Sequence, residues 1–173
     1  MAAQGLALFD TALGTAGIAW SERGVAGVQL PEADRDRARR RLHRRFPGAP
    51  EAEPPPEVRR AVDGIVALLG GEPVDLGAVP LDMDGVPAFD RRAYEVARTI
   101  PAGATLTYGD VAARLGDRRA ARDVGQALAH NPFSIVVPCH RVLAAGHRLG
   151  GFSAPGGVAT KLRLLSIEGA VFV

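Results

Sequence analysis

Cys139 is the single sulfhydryl of the chain, and His140 and Arg141 follow it directly in the run Ile135-Val136-Val137-Pro138-Cys139-His140-Arg141-Val142. A free thiol with a pKa near ~8.5 is only slightly ionised at neutral pH, and an adjacent imidazole or cation raises the reactive thiolate fraction. His140 and Arg141 are therefore candidates for activating a nucleophile. A lone cysteine also suits a small buried hydrophobe, so the surrounding residues must decide between the two readings. The β-branched run Ile135 to Val137 predicts a short buried strand that Pro138, which cannot donate to a ladder, brings to an end. Cys139 is then expected on a turn just beyond a rigid element.

The rest of the composition bounds what that thiol can serve. A chain of 173 residues with 47% hydrophobic content and mean hydropathy +0.05 can bury the core of one domain or of two small ones. No apolar run reaches the length of a membrane span, and the N-terminus lacks a basic start followed by an apolar core, so no membrane partner and a cytoplasmic location are expected. One cysteine excludes an intramolecular disulfide and a Cys-rich zinc site, leaving the thiol available in a reducing compartment. The net charge is only +2, and Lys161 is the sole lysine among 21 basic residues. That arginine bias follows codon composition as readily as it follows a partner.

Leu6 to Leu30 alternates apolar with small or polar residues around turn signals at Gly14-Thr15 and Glu22-Arg23-Gly24, which predicts a hairpin or meander. Pro31 to Phe46 places Glu32, Asp34 and Asp36 at its front and arginines toward its end, as a solvated helix prefers; a nucleic-acid patch is the sharper alternative. Pro47 to Pro56 predicts a loop, Pro56 to Leu69 a helix stopped by Gly70-Gly71, and Val74 to Met83 another strand. The composition changes near Asp84-Gly85-Val86-Pro87, giving two expected domains, 1–84 with a structural role and 85–173 carrying the chemistry.

In the second part a helix is expected from Phe89 to Ile100, then a short helix over Leu106 to Gly116, a polar turn, and a helix over Ala120 to His130. Two short helices joined by a tight glycine-containing turn have the layout of a helix-turn-helix. The last of these helices has an unusually smooth surface of Ala120, Ala121, Gly125, Ala127 and Ala129, broken by Arg122. Gly125 costs about 1 kcal/mol of helix stability relative to alanine, so such a helix suits close approach, either to another helix or to DNA.

Thr107-Tyr108-Gly109, Ala120-Ala121-Arg122-Asp123-Val124-Gly125, Asn131-Pro132, Pro138-Cys139-His140-Arg141-Val142, Gly150-Gly151-Phe152, Lys161 and Glu168 together resemble the O6-alkylguanine-DNA alkyltransferases. The resemblance runs unbroken from Phe89 to about Gly169, while Asp10 to Trp20 is similar only in outline to the first hairpin of that family. It implies an α+β fold: an N-terminal domain of ribonuclease-H-like topology, and a mostly helical C-terminal domain of winged helix-turn-helix type. It also implies a monomer without cofactor or metal that passes the alkyl group of O6-alkylguanine, and possible O4-alkylthymine, irreversibly to its own cysteine. The partner implied is duplex DNA read through its minor groove without sequence preference.

The resemblance further implies roles residue by residue. Cys139 accepts the alkyl group as thiolate, its proton passing through water to His140, which Glu168 holds; Asn131 ties the active-site turn together. Tyr108 donates to the guanine ring, the backbone N–H of Ser153 donates to O6, and the carbonyls of Cys139 and Val142 accept from the exocyclic amine. A stacked base must rotate out of the duplex to reach the sulfur, at a cost of a few kcal/mol. Arg122 is expected to fill the vacated stack, with Ala121, Gly125 and Thr107 also at the DNA. Leu128 and Phe152 wall the base pocket, to which Pro138, Val142, Ser153 and Lys161 contribute. Asp123 departs from the usual alanine and is expected to pair with Arg119 or Arg122, and the loop 153–157 is longer than usual. Two other classes fit parts of the pattern: a non-enzymatic sensor or regulator that binds alkylated DNA, and a thiol hydrolase using Cys139 and His140. Relatives of the first class lack the cysteine, and no oxyanion motif supports the second.

Overall fold

A computed structural model describes residues 3–152 and 156–170. The chain divides into two compact units: residues 1–84 with 132–136, and residues 85–131 with 137–173. The second is thus not one continuous stretch, because a five-residue excursion belongs to the first.

The first unit is built on an antiparallel meander of β1 (Gly5–Thr11), β2 (Gly14–Ser21) and β3 (Gly24–Glu32), with Leu6 opposite Ala19 and Ile18 opposite Val28. The central strand β2 is buried at every position after Gly14, which explains why apolar and small residues fill it without strict alternation. Helix α1 (Arg35–Arg45) packs on the sheet through Ala38 and Leu42. A Cβ at Gly17 would come within 2.8 Å of the Leu42 side chain, so glycine is what lets helix and strand meet. The Asp34 side chain caps α1 by accepting from the N–H groups of Asp36 and Arg37. Helix α2 (Pro56–Leu69) starts on a proline and buries Val58, Ala61, Val62, Ile65, Leu68 and Leu69, the stripe that its periodicity predicts.

The strand expected over Val74 to Met83 does not form. Pro80 interrupts it, Asp75 accepts from the Gly77 N–H in a tight turn at 2.7 Å, and only a single bridge joins Leu81 to Val25.

The second unit is mostly helical. Its elements are α3 (Ala88–Ala97), β4 (Leu106–Thr107), α4 (Tyr108–Arg114), α5 (Ala121–Ala129), β5 (Val142–Leu143) and α6 (Gly157–Ile167), and β4 and β5 form a minimal parallel ladder. Helices α4 and α5 are the expected helix-turn-helix pair. Gly116, at φ +100°, ends the first, and Asp117 caps the short turn of helix before the second. The Tyr94 hydroxyl of α3 donates to the Ala127 carbonyl at 2.7 Å and fixes α5 from behind. Among the described residues no helix is long and apolar enough to cross a membrane.

Candidate functional site

The segment that carries the thiol is not a strand. Ile135 has φ +75° and the Val136 N–H reaches the Ser134 carbonyl at 2.9 Å, which makes Ile135 the centre of a γ-turn in a region β-branched residues seldom enter. A second γ-turn follows. Pro138 has φ −80° and ψ 67°, and the Cys139 N–H donates to the Val137 carbonyl at 2.8 Å. The Asn131 amide donates to that same carbonyl at 2.9 Å, as its expected role of tying the turn requires. Apolar burial of Ile135, Val136 and Val137 holds the turns; β-branching here served burial rather than a ladder.

From this turn a single 3-10 turn, Cys139–Arg141, aims three buried side chains. His140 Nε2 lies 3.0 Å from Glu168 Oε2 at the end of α6. Arg141 grips the same carboxylate in a two-point clamp, Nε to Oε1 at 2.9 Å and Nη2 to Oε2 at 2.7 Å, while its Nη1 donates to the Ile100 carbonyl at 2.6 Å. Burial would raise the Glu168 pKa, but the hydrogen bonds and charges of Arg141 and His140 outweigh it and hold the carboxyl down at about 2. Burial pushes the His140 pKa down, against the pull of Glu168, so the ring is a neutral base. A Glu168 carboxylate on Nε2 puts the ring proton there and leaves Nδ1 as the accepting nitrogen.

Arg141 was expected as a possible cationic neighbour of the thiol. Its guanidinium is committed to Glu168 instead, and Lys161 is the cation that acts on the sulfur. Lys161 is fully buried in α6; its ammonium donates to the Val142 carbonyl at 2.8 Å and lies over the rings of Tyr108 and Phe152, 5.7 and 5.9 Å from their centroids. Burial lowers its pKa to about 8, against the charge of Cys139.

The thiol also departs from expectation. Burial pushes its pKa above that of a free thiol, although the Asn131 amide, the Lys161 charge and the N–H groups of Cys139 and His140 all favour the thiolate. Desolvation wins because Cys139 is nearly enclosed. The resting sulfur is therefore a neutral thiol that needs a base at the moment of reaction.

Cys139 lies at the floor of a cavity of about 360 Å³ lined by Tyr108, Gly125, Leu128, Ala129, Gly151 and Phe152. Leu128 and Phe152, the two residues expected to wall a base pocket, both line it; burial, then the charge of Cys139, raises the Tyr108 pKa, which keeps its hydroxyl a proton donor. Pro138, Val142 and Lys161 are not among its lining residues, although the Lys161 ammonium meets the rings of Tyr108 and Phe152, which are. Ser153, expected to donate to O6, lies outside the described residues. Thr107, expected at DNA, caps α4: its hydroxyl accepts from the Asp110 N–H at 3.0 Å, and the Asp110 carboxylate accepts from the Thr107 N–H at 3.0 Å. Arg119 pairs with Asp117 at 3.2 Å, so Asp123 has not taken it, and Arg122 is exposed on α5.

Gly125 stands where α5 lines the cavity. A Cβ there would meet nothing within 4 Å, so no internal packing requires glycine at that position.

A family model described as the 6-O-methylguanine DNA methyltransferase DNA binding domain matches residues 88–170. The methylated-DNA–protein-cysteine methyltransferase of Methanothermobacter thermautotrophicus is 36% identical over 153 residues, 88% of this chain and 78% of that protein. The chain belongs to this methyltransferase family. A "DNA base-flipping protein" of Thermus thermophilus is 40% identical over 126 residues, 73% of this chain and 82% of that one. The fold is similar to that of Mycobacterium tuberculosis OGT in complex with DNA, with TM-score 0.74 and 32% identity over 95% of this chain and 92% of that one. Arg141 is the member of the site whose role differs from the one its position suggested: it was expected to activate the thiol and instead clamps Glu168, which lies 27 residues away in sequence.

Proposed function

We propose that this chain repairs DNA by direct reversal: Cys139 takes the alkyl group from O6-alkylguanine in one irreversible transfer, with the base turned out of the duplex into the cavity over the sulfur. One observation carries the reading. A buried, neutral thiol forms the floor of a base-sized cavity, and the residue beside it is a buried neutral imidazole oriented by a carboxylate that Arg141 locks in place.

The chemistry follows from that arrangement. The sulfur bonds to the alkyl carbon as the carbon–O6 bond breaks, and the electron pair of that bond returns to the guanine. The thiol proton passes through a water to Nδ1 of His140, and Glu168 steadies the imidazolium that forms. Tyr108 donates a proton to the departing guanine. The proton held on His140 then returns through solvent to Tyr108, so both side chains end neutral, the products are a thioether and a neutral guanine, and the alkyl group stays on Cys139. Lys161 lowers the cost of negative charge on sulfur before bond formation.

Access falls to α5. Its small residues allow close approach to the minor groove, and Arg122 takes the place of the extruded base. Residues 1–84 have a structural part, and residues 85–173 hold the DNA-binding and alkyl-acceptor functions. A single thiol that must stay reduced, acting on DNA, supports a cytoplasmic location.

The second reading is binding without transfer, since a relative named only for base flipping shares the extrusion step but its name states no transfer. Intact mass after incubation with a methylated duplex separates the two. Transfer leaves a permanent gain of one methyl group that Cys139→Ser loses while still binding DNA; an unchanged mass with binding retained would establish the sensor instead.

A further inference from the structure

Of the seven arginines of α1, four are held in place. Arg35 pairs with Asp10 at 2.9 Å, Arg39 with Glu51 at 3.2 Å and Arg41 with Glu32 at 3.5 Å, while Arg45 donates to the carbonyls of Val28 and Pro132 at 3.2 and 3.1 Å. The other three are Arg37, Arg40 and Arg44. They are exposed, and no ion pair or side-chain hydrogen bond engages them among the described residues.

These three are not scattered. At about 100° per residue they fall within an arc of about 60°, on the side of α1 opposite Ala38 and Leu42, which face the sheet. At about 1.5 Å per residue the row is about 10 Å long, which matches about three phosphates of one DNA strand at ~3.4 Å each along the helix axis. A solvated helix has no need to leave its free cations in one row while acids and carbonyls take up the others. Guanidinium groups suit this partner because their planar fork pairs with phosphate oxygens at two points.

We infer that this row is a second DNA contact, separate from the cavity and α5, that binds backbone phosphates of duplex DNA without reading sequence. The inference rests on the chain being a DNA-binding protein. Its role is to hold the protein on undamaged duplex by counterion release, whatever base lies at the cavity.

The test uses the full chain and an unmodified duplex, with binding measured over a range of salt concentrations. Arg37→Gln/Arg40→Gln/Arg44→Gln should make the plot of log affinity against log salt shallower by about 2 to 3, since each phosphate contact contributes about 0.9. The corresponding triple lysine variant should keep most of the slope. A control with the same loss of charge elsewhere in the first unit, Arg23→Gln/Arg59→Gln/Arg60→Gln, should leave the slope near that of the unaltered chain. An unchanged slope in the first variant, or an equal fall in the control, overturns the inference. Failure of the repair reading would show separately, as an unchanged mass of the unaltered chain with methylated duplex.

Discussion

Charge is handled in opposite ways in α1 and at the junction of the 3-10 turn with α6. In α1 the arginines lie at the surface, and Arg39 meets Glu51 with side chains 40% and 43% exposed. At the site Arg141 meets Glu168 with side chains 7% and 3% exposed, and His140 shares the same carboxylate. Both are arginine–glutamate pairs, and burial separates their consequences. In water a pair gains little and is screened by salt; in the interior each partner answers a desolvation cost that would otherwise stand alone. A surface pair decorates an element, whereas a buried one fixes the direction and protonation of its neighbours.

Removing one member of each pair separates the two cases most widely. Arg141→Ala should destabilise the protein by about 3–5 kcal/mol, because it strands a buried carboxylate, while Arg39→Ala should cost no more than about 1 kcal/mol. Chemical denaturation measures both, and equal losses would mean that burial makes no difference here.

Acid provides the next test. The Glu168 pKa is held at about 2 against an ordinary 4.5, so its contribution is fully present above pH 4.5 and is lost as pH falls toward 2. The stability gap between the unaltered chain and Glu168→Gln should narrow across that window, by on the order of 3 kcal/mol. A gap that stays constant from pH 6 to pH 3 would show that the clamp does not hold the carboxylate ionised.

Two smaller effects refine the contrast between buried and exposed groups on the DNA side. Arg122→Ala should slow transfer from a methylated duplex about ten- to a hundredfold, or roughly 1.4–2.8 kcal/mol, and leave reaction with the free alkylated base nearly unchanged. Parallel losses on the two substrates would remove its part in base extrusion. Gly125→Ala should raise thermal stability by up to about 1 kcal/mol, since the added methyl meets nothing inside the protein. A loss of stability would show that the glycine serves internal packing after all.

The sequence alone determined the local elements and the chemistry at stake. The stripe in α2, the acid-first charge order of α1, the meander and the two helices flanking Gly116 all follow from periodicity, capping and turn residues that act within a few positions. Cys139 and His140 pointed to thiol chemistry, and the resemblance carried by the motifs around Tyr108, Cys139 and Glu168 implied which reaction it serves. Four features depended on tertiary structure. Helix α6 was illegible because its pattern is inverted, with Leu162 exposed and Lys161 buried, so no apolar face announced it. The run Ile135 to Val137 has strand-type residues, but its neighbours fold it into a γ-turn that a local preference could not foretell. The partner of Arg141 lies 27 residues away, beyond the reach of any local pattern. Whether the thiol is raised or lowered depends on how much water reaches it and which cation stands nearest, and both are properties of the packed interior rather than of the order of residues.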